Sequence, residues 1–187
     1  MNLSILIPLS WGALTLVWLA GAARTKPSLR TTDFGMRAVS LAAILLGFFL
    51  TMSGWFPDEF AGPPLPPNPD MRMTGVALTV LGCAFAIWAR LALGTNWSGQ
   101  PTVKARHELI VTGPYALARH PIYTGILAAA IGTALADLQW RRMLGVALIA
   151  GGMLMKIRQE ERLMTETFPD AYPRYRQRVK ALIPGLF

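Results

Sequence analysis

Cysteine and histidine are almost absent from this chain. One cysteine, Cys83, stands among 187 residues, and the only histidines are His107 and His120. A lone cysteine cannot close an intrachain disulfide or build a cysteine-rich metal site, and two histidines are too few for a histidine-rich one. No metal is therefore expected as a partner, and Cys83, inside an apolar run, is assigned to packing. Charge is scarce as well. Only 15% of the residues are charged against 53% hydrophobic, too apolar a balance for an ordinary soluble domain of this size. Acidic residues are the scarcer sign, 10 Asp and Glu against 18 Lys and Arg, which leaves a formal charge of +8. Such an excess would suit nucleic acid, but these basic residues fall between and after hydrophobic runs, where membrane proteins concentrate Lys and Arg; no nucleic-acid partner is expected. No basic residue precedes the first apolar run, so the n-region of a cleaved signal peptide is missing and the run reads as a membrane anchor. Nor does an internal repeat divide the chain into the related halves that transporters often show.

What the chain has in quantity is long apolar runs, at residues 3–23, 36–56, 73–93, 122–138 and 143–155. Most approach the roughly 20 residues a spanning helix needs. The last is short, and spans only if its helix continues into the charged stretch 156–167, whose long side chains snorkel to the interface. The fold class read from this pattern is all-α: a polytopic membrane protein of about five transmembrane helices. Basic residues set the orientation. Arg24, Lys26, Arg30 and Arg37 place the first connection in the cytoplasm, while Asp58, Glu59 and Asp70 place the second outside. Arg90, Lys104, Arg106 and Arg119 return the third connection to the cytoplasm, and Arg174, Arg176, Arg178 and Lys180 put the tail there too. The turn 137–142 breaks the rule by leaving Arg141 and Arg142 outside, so the last two helices read either as full crossings or as a hairpin of limited depth. Six prolines within residues 57–70 forbid a helix and imply a stiff extended outer connector. Gly75, Gly82, Gly145, Gly151 and Gly152 supply small residues where helix backbones can approach closely. Two units follow: residues 1–70, with the first two helices, and residues 71–187, with the remaining helices and the tail.

Polar residues concentrate in two stretches, 94–123 and 156–180, which this topology puts at one membrane face. Pro121 suits the first turn of the fourth helix and leaves His120 at its mouth, where unpaired N–H groups and the positive end of the dipole can hold an anionic or polar group. Tyr123 and Gly125 follow within one and a half turns, offering an aromatic face and an open stretch of backbone. In the second stretch Lys156 and Glu160 are four apart and share a helix face, as do Arg158 and Arg162. Ionised groups directly below an apolar span are costly unless paired or lining a polar cavity, which makes them site candidates. Each piece also has a plainer reading. Arg119-His120-Pro121 serves equally as a basic helix start at the headgroups, Glu160-Glu161 as a solvated helix extension, and Trp97, Tyr115 and Tyr123 as interfacial anchors.

Taken together, the pieces resemble the isoprenylcysteine carboxyl methyltransferase family, whose wider relatives include membrane phospholipid methyltransferases. The likeness covers residues 90–184. It runs through Leu93-Gly94, Trp97-Ser98, His107 to Tyr115, Arg119-His120-Pro121-Ile122-Tyr123-Thr124-Gly125 and Glu160-Glu161, then Phe168, Tyr172, Tyr175 and Val179 ahead of Ile183-Pro184. The resemblance implies a cofactor, S-adenosylmethionine, held among the last helices in a cytoplasmic pocket. It implies contacts at Gln100, His107, Glu108, Leu109, Ile110, Tyr115, His120, Pro121, Tyr123 and Glu160. Where eukaryotic members place an arginine near the substrate carboxylate this chain has Lys156, which lacks the planar fork; Arg158 is the alternative.

The activity expected from this resemblance is methyl transfer to a lipid-like acceptor, either an isoprenylcysteine-like carboxylate or a phospholipid amine. Lys156 or Arg158 would face an anionic acceptor group, and Glu161, Glu160 or a histidine would take the proton an amine must lose. Lipids are the expected partners, with the acceptor entering sideways from the bilayer. The expected location is the membrane, the inner (plasma) membrane in a bacterium, with the site facing the cytoplasm. The rival enzyme is a membrane sterol or steroid reductase using NADPH. Such reductases resemble this chain around a His-Pro-x-Tyr-Gly pattern, but usually follow that glycine with an acidic residue where Ile126 stands. A transporter or a membrane scaffold is the non-enzymatic alternative.

Overall fold

The computed structural model describes residues 3–22, 28–31, 34–53, 68–94, 102–104, 109–183 and 185. Six α-helices account for most of them: α1 (Leu6–Ala22), α2 (Phe34–Met52), α3 (Pro69–Leu93), α4 (Pro121–Ala136), α5 (Trp140–Thr167) and α6 (Ala171–Arg178). A single 3-10 turn (Leu3–Ile5) leads into α1, and another (Gly113–Ala116) lies ahead of α4. The departure from a purely α architecture among the described residues is one short antiparallel pair, β1 (Ser28–Thr31) with β2 (Thr102–Lys104), in which Arg30 stands opposite Val103.

Three segments, Leu3–Gly21, Phe34–Met52 and Pro69–Leu93, are long and apolar enough to cross a bilayer. Helix α4 is apolar but shorter, and α5 divides into an apolar first half and a charged extension beyond residue 155. The protein is thus an integral membrane protein with helical spans. Its exposed large side chains, among them Leu9, Leu16, Leu19, Leu45 and Leu81, are those a lipid-facing surface carries.

Local chemistry fixes the helix ends. The Asn68 side chain accepts from the amides of Asp70 (3.0 Å) and Met71 (3.1 Å), Pro69 occupies the first turn, and Asp70 complements the positive end of the dipole. Helix α3 ends at Gly94, which takes a positive φ of 54° that most residues resist. Helix α2 is capped from a distance. Arg141 donates to the carbonyls of Leu50 (2.9 Å) and Ser53 (2.6 Å), and Arg142 to that of Thr51 (2.8 Å) and to the Asp137 carboxylate (2.7 Å). These two cations satisfy the free carbonyls at the negative end of α2, which is why they tolerate a position that loop charge counting disfavours.

Two helix pairs form the bundle, α3 against α4 and α2 against α5. Both are close-packed through glycine. A Cβ on Gly75 would lie 2.5 Å from the Gly132 carbonyl, and one on Gly82 2.6 Å from the Gly125 carbonyl, so α3 and α4 touch backbone to backbone at two points one heptad apart. Gly145 meets the Gly47 carbonyl and Gly152 the Ser40 carbonyl in the second pair. Gly151, expected at such an interface, instead faces open space and is exposed, because it lies off the stripe shared by Gly145 and Gly152. Helix α1 joins through a buried polar seam: Trp11 Nε1 donates to Thr133 Oγ1 (3.0 Å), which itself lies 3.3 Å from Thr79 Oγ1. Both threonines also bond carbonyls of their own helices, so neither of these two buried hydroxyls is left unsatisfied.

Candidate active site

The first turn of α4 and the charged extension of α5 meet at the same end of the bundle. Pro121 starts α4 at the position where its missing N–H costs nothing, so His120 becomes the N-cap, although its ring makes no capping bond. The ring is turned instead to two carboxylates. Nδ1 stands 3.4 Å from Glu160 Oε2, and Nε2 3.3 Å from Glu161 Oε1. Consecutive glutamates on a helix point about 100° apart, so they can flank one ring from two sides. Tyr123, three residues after His120, lies parallel to the imidazole with ring centroids 5.7 Å apart, and its hydroxyl donates to Glu160 Oε1 at 2.5 Å. Lys156, one turn before Glu160, holds its ammonium 5.4 Å from the Tyr123 ring centre. Arg119 closes the cluster on the other side, with Nε 2.8 Å and Nη2 2.5 Å from Glu161 Oε1.

Electrostatics follow from this pairing. Burial works against a charged imidazole, but hydrogen bonds and charge from Glu160 and Glu161 outweigh it, and the His120 pKa rises above its ordinary value. Burial would likewise raise Glu161, yet its bonds to His120 and Arg119 hold that carboxyl down at about 2. Glu160 is also lowered, against its own desolvation, by His120, Lys156 and the Tyr123 hydroxyl. The arrangement is an imidazole between two carboxylates, which favour its charged form, with Arg119 and Lys156 at its edges.

The segment after α6 completes the frame. The amides of Arg119 and His120 donate to the carbonyls of Lys180 (2.8 Å) and Ala181 (2.9 Å), and Thr124 Oγ1 to that of Leu182 (2.7 Å). Arg119 Nη1 reaches the Val179 carbonyl. Tyr115 is buried, with its hydroxyl 3.4 Å from the Ala89 carbonyl, and its own carbonyl accepts from the Tyr175 hydroxyl at 2.6 Å. This ties the 3-10 turn to both α3 and α6.

Of the residues expected at the site, the structure therefore brings together His120, Tyr123, Lys156, Glu160 and Glu161. Pro121 is buried beneath them, and Tyr115 supports the frame nearby. Leu109 and Ile110 are half-buried in the segment leading to the 3-10 turn, and Arg158 is exposed on α5. Gln100, His107 and Glu108 lie outside the described residues. Sequence reasoning placed Arg119 in the motif but gave no role at the site to it or to the carbonyls of 179–182. The signal for Arg119 was its place beside His120, since a buried acidic pair needs more than one cation. A separate cavity of about 730 Å³ lies at the opposite end of the bundle, with Trp11, Arg72, Asp137 and Arg142 among its lining.

Comparison with known proteins bears on this arrangement. The family model for phospholipid methyltransferases matches residues 71–171, which include every member of the cluster. A nickel-cobalt-cadmium resistance protein, NccN, of Alcaligenes xylosoxydans xylosoxydans is 32% identical over 123 residues, covering 63% of this chain and 54% of that protein. The protein-S-isoprenylcysteine O-methyltransferase of Saccharomyces cerevisiae is 31% identical over 131 residues, 62% of this chain and 55% of the yeast protein. The chain spans about half the length of these curated relatives. The solved structure of a eukaryotic intramembrane Ras methyltransferase, isoprenylcysteine carboxyl methyltransferase, superposes with a TM-score of 0.54 at 21% identity. That match covers 84% of this chain and 55% of the other, and shows that the two share a fold.

Proposed function

Since the chain belongs to the phospholipid methyltransferase family, we propose that it is a membrane methyltransferase that takes its methyl group from S-adenosylmethionine and passes it to a lipid-like acceptor. The observation that carries this reading is the convergence of His120, Tyr123, Glu160 and Lys156 just beyond the apolar half of α5. The donor set suits the cofactor. Glu160 offers a carboxylate to an ammonium or to sugar hydroxyls, His120 and Lys156 offer positive charge to a carboxylate, and Tyr123 offers a flat ring. When bound, the cofactor supplies a methyl group on a sulfonium, open to in-line displacement.

The chain's own work is then orientation and exclusion of water. Glu160 anchors, and His120 and Tyr123 hold Glu160 in place. Lys156, half-buried and adjoining Tyr123, is the cation we assign to an anionic acceptor group, in preference to the exposed Arg158. Glu161 we assign to holding Arg119 and His120, because a carboxylate held at about 2 is a weak base. A carboxylate acceptor, already ionised at neutral pH, needs no base. Among the described residues the charge pattern therefore favours an isoprenylcysteine-like carboxylate over a phospholipid amine. We further propose about five crossings with the site on the cytoplasmic side, where the soluble cofactor arrives while a tailed acceptor enters from the bilayer. In this reading residues 71–187 form the catalytic unit and residues 1–70 the accompanying helices.

The test is ligand-dependent thermal stability of the purified protein in detergent. S-adenosylhomocysteine at about 100 times its dissociation constant should stabilise by roughly 2.7 kcal/mol, and Glu160→Gln should lose most of this. Transfer of labelled methyl to an isoprenylcysteine analogue, but not to phospholipid, is the expected second result. Stabilisation by NADPH alone would favour the reductase, and a response to neither ligand would favour a transporter or scaffold.

A further inference from the structure

Arg119 makes four side-chain hydrogen bonds, and all of them lead to two places. One is Glu161 on α5, gripped through Nε and Nη2. The other is the chain after α5, where Nη1 meets the carbonyls of Val179 and, at 3.3 Å, Arg176. The guanidinium is nearly enclosed, with a side-chain exposure of 8%. Around it the backbone follows the same route, with the amides of Arg119 and His120 donating to Lys180 and Ala181 and the Thr124 hydroxyl to Leu182. The entrance to α4, the charged end of α5 and the segment 179–182 thus share one fastening.

A planar fork suits this task, because guanidinium can bond a carboxylate through one edge and carbonyls through the other, whereas an ammonium cannot span both. The consequence for the site is positional. Glu161 Oε1 is shared between Arg119 and His120 Nε2, so the place where Arg119 holds that oxygen sets the tilt of the imidazole. The imidazole in turn stacks on Tyr123 and adjoins Glu160.

We propose that Arg119 is a positioning residue that uses the segment 179–182 as a strap to fix Glu161 and His120, and through them to aim Glu160 at the cofactor. The inference rests on the methyltransferase reading for its consequence in binding, but the strap itself does not depend on which ligand binds. Arg119 contacts no ligand in this scheme. Its replacement should weaken binding of the cofactor while leaving the helix pairs intact.

Arg119→Gln should bind S-adenosylhomocysteine at least about tenfold more weakly than the unaltered protein, the order expected for lost charge-assisted bonds. Without any ligand, hydrogen exchange at the amides of Arg119 and His120 should accelerate at least about tenfold, while amides of α4 between residues 126 and 134 keep their protection. Arg119→Lys, which retains charge without the fork, should recover binding more than it recovers amide protection. Should Arg119→Gln not fold, Thr124→Val removes the hydroxyl's bond to Leu182, together with its longer one (3.2 Å) to the His120 carbonyl, and should give a smaller change at the same amides. Unchanged protection at His120 together with unchanged affinity would overturn the proposal. Failure of the unaltered protein to bind S-adenosylhomocysteine, with the exchange result as expected, would count against the methyltransferase reading and not against the strap.

Discussion

Replacing Glu161 by glutamine removes one negative charge from between His120, Arg119 and Arg176, and the structure allows the cost to be worked out. Both principal partners are enclosed, with side-chain exposures of 9% and 8%, whereas Arg176 at 59% contributes little. Holding the Glu161 carboxyl at about 2 rather than at its ordinary 4.5 corresponds to roughly 3 kcal/mol of folding free energy. A second route gives a similar figure: breaking a buried pair by removing one partner typically costs about 3–5 kcal/mol. Here the carbonyls of Val179 and Arg176 still solvate the guanidinium and keep the cost near the lower end. The sign follows from the direction of the shift. A carboxyl lowered on folding contributes its stability above the ordinary value of 4.5 and loses it as pH falls toward 2. His120 works in the opposite sense, contributing below its ordinary 6.5 and losing that contribution as pH rises through its raised folded value. Denaturation in detergent across pH 7 to 3 should therefore show Glu161→Gln weaker by roughly 3 kcal/mol near neutrality, with the gap closing in acid. A gap that stayed constant with pH, or no gap at pH 7, would refute the charge-based account of this cluster.

Three further substitutions test the bundle. Gly82→Val would place side-chain atoms against the Gly125 carbonyl and the Ala129 amide of α4, and should lower stability by at least about 1–3 kcal/mol, read as a fall in Tm. Gly151→Ala, facing open space, should leave Tm unchanged or slightly higher. Trp11→Phe removes the indole donor to Thr133 and should cost about 0.5–2 kcal/mol, with less than additive loss when combined with Thr133→Val in a double-mutant cycle.

The spans were legible because composition alone decides them. Runs such as 36–56 and 73–93 have few other places to go than a bilayer, and α2 and α3 lie along them. The proline at the start of α4 and the acidic pair on α5 were equally readable, since Pro121 fixes a helix start and the four-residue spacing of Lys156 and Glu160 fixes a shared face. Less was visible wherever two distant elements decide a side chain's role. Arg141 and Arg142 look anomalous by loop charge until α2 is seen to end against them. Gly151 and Gly152 are indistinguishable until the contact stripe of α5 is known. Arg119 and Glu161 are 42 positions apart, and no local period links them. The short sheet was missed for the same reason, as β1 and β2 pair across the length of α2 and α3 and neither is long enough to announce itself.

The glycine contacts between α3 and α4 have a mechanical result. Where main chain presses on main chain, no rotamer can swing aside to let a hydrocarbon tail pass, so the two helices behave as a single stiff bar. If the acceptor is the tailed molecule proposed above, the breathing that admits it to the vicinity of His120 must occur along some other border of the bundle, and labels spanning Gly75 and Gly132 should register no change in separation as it happens.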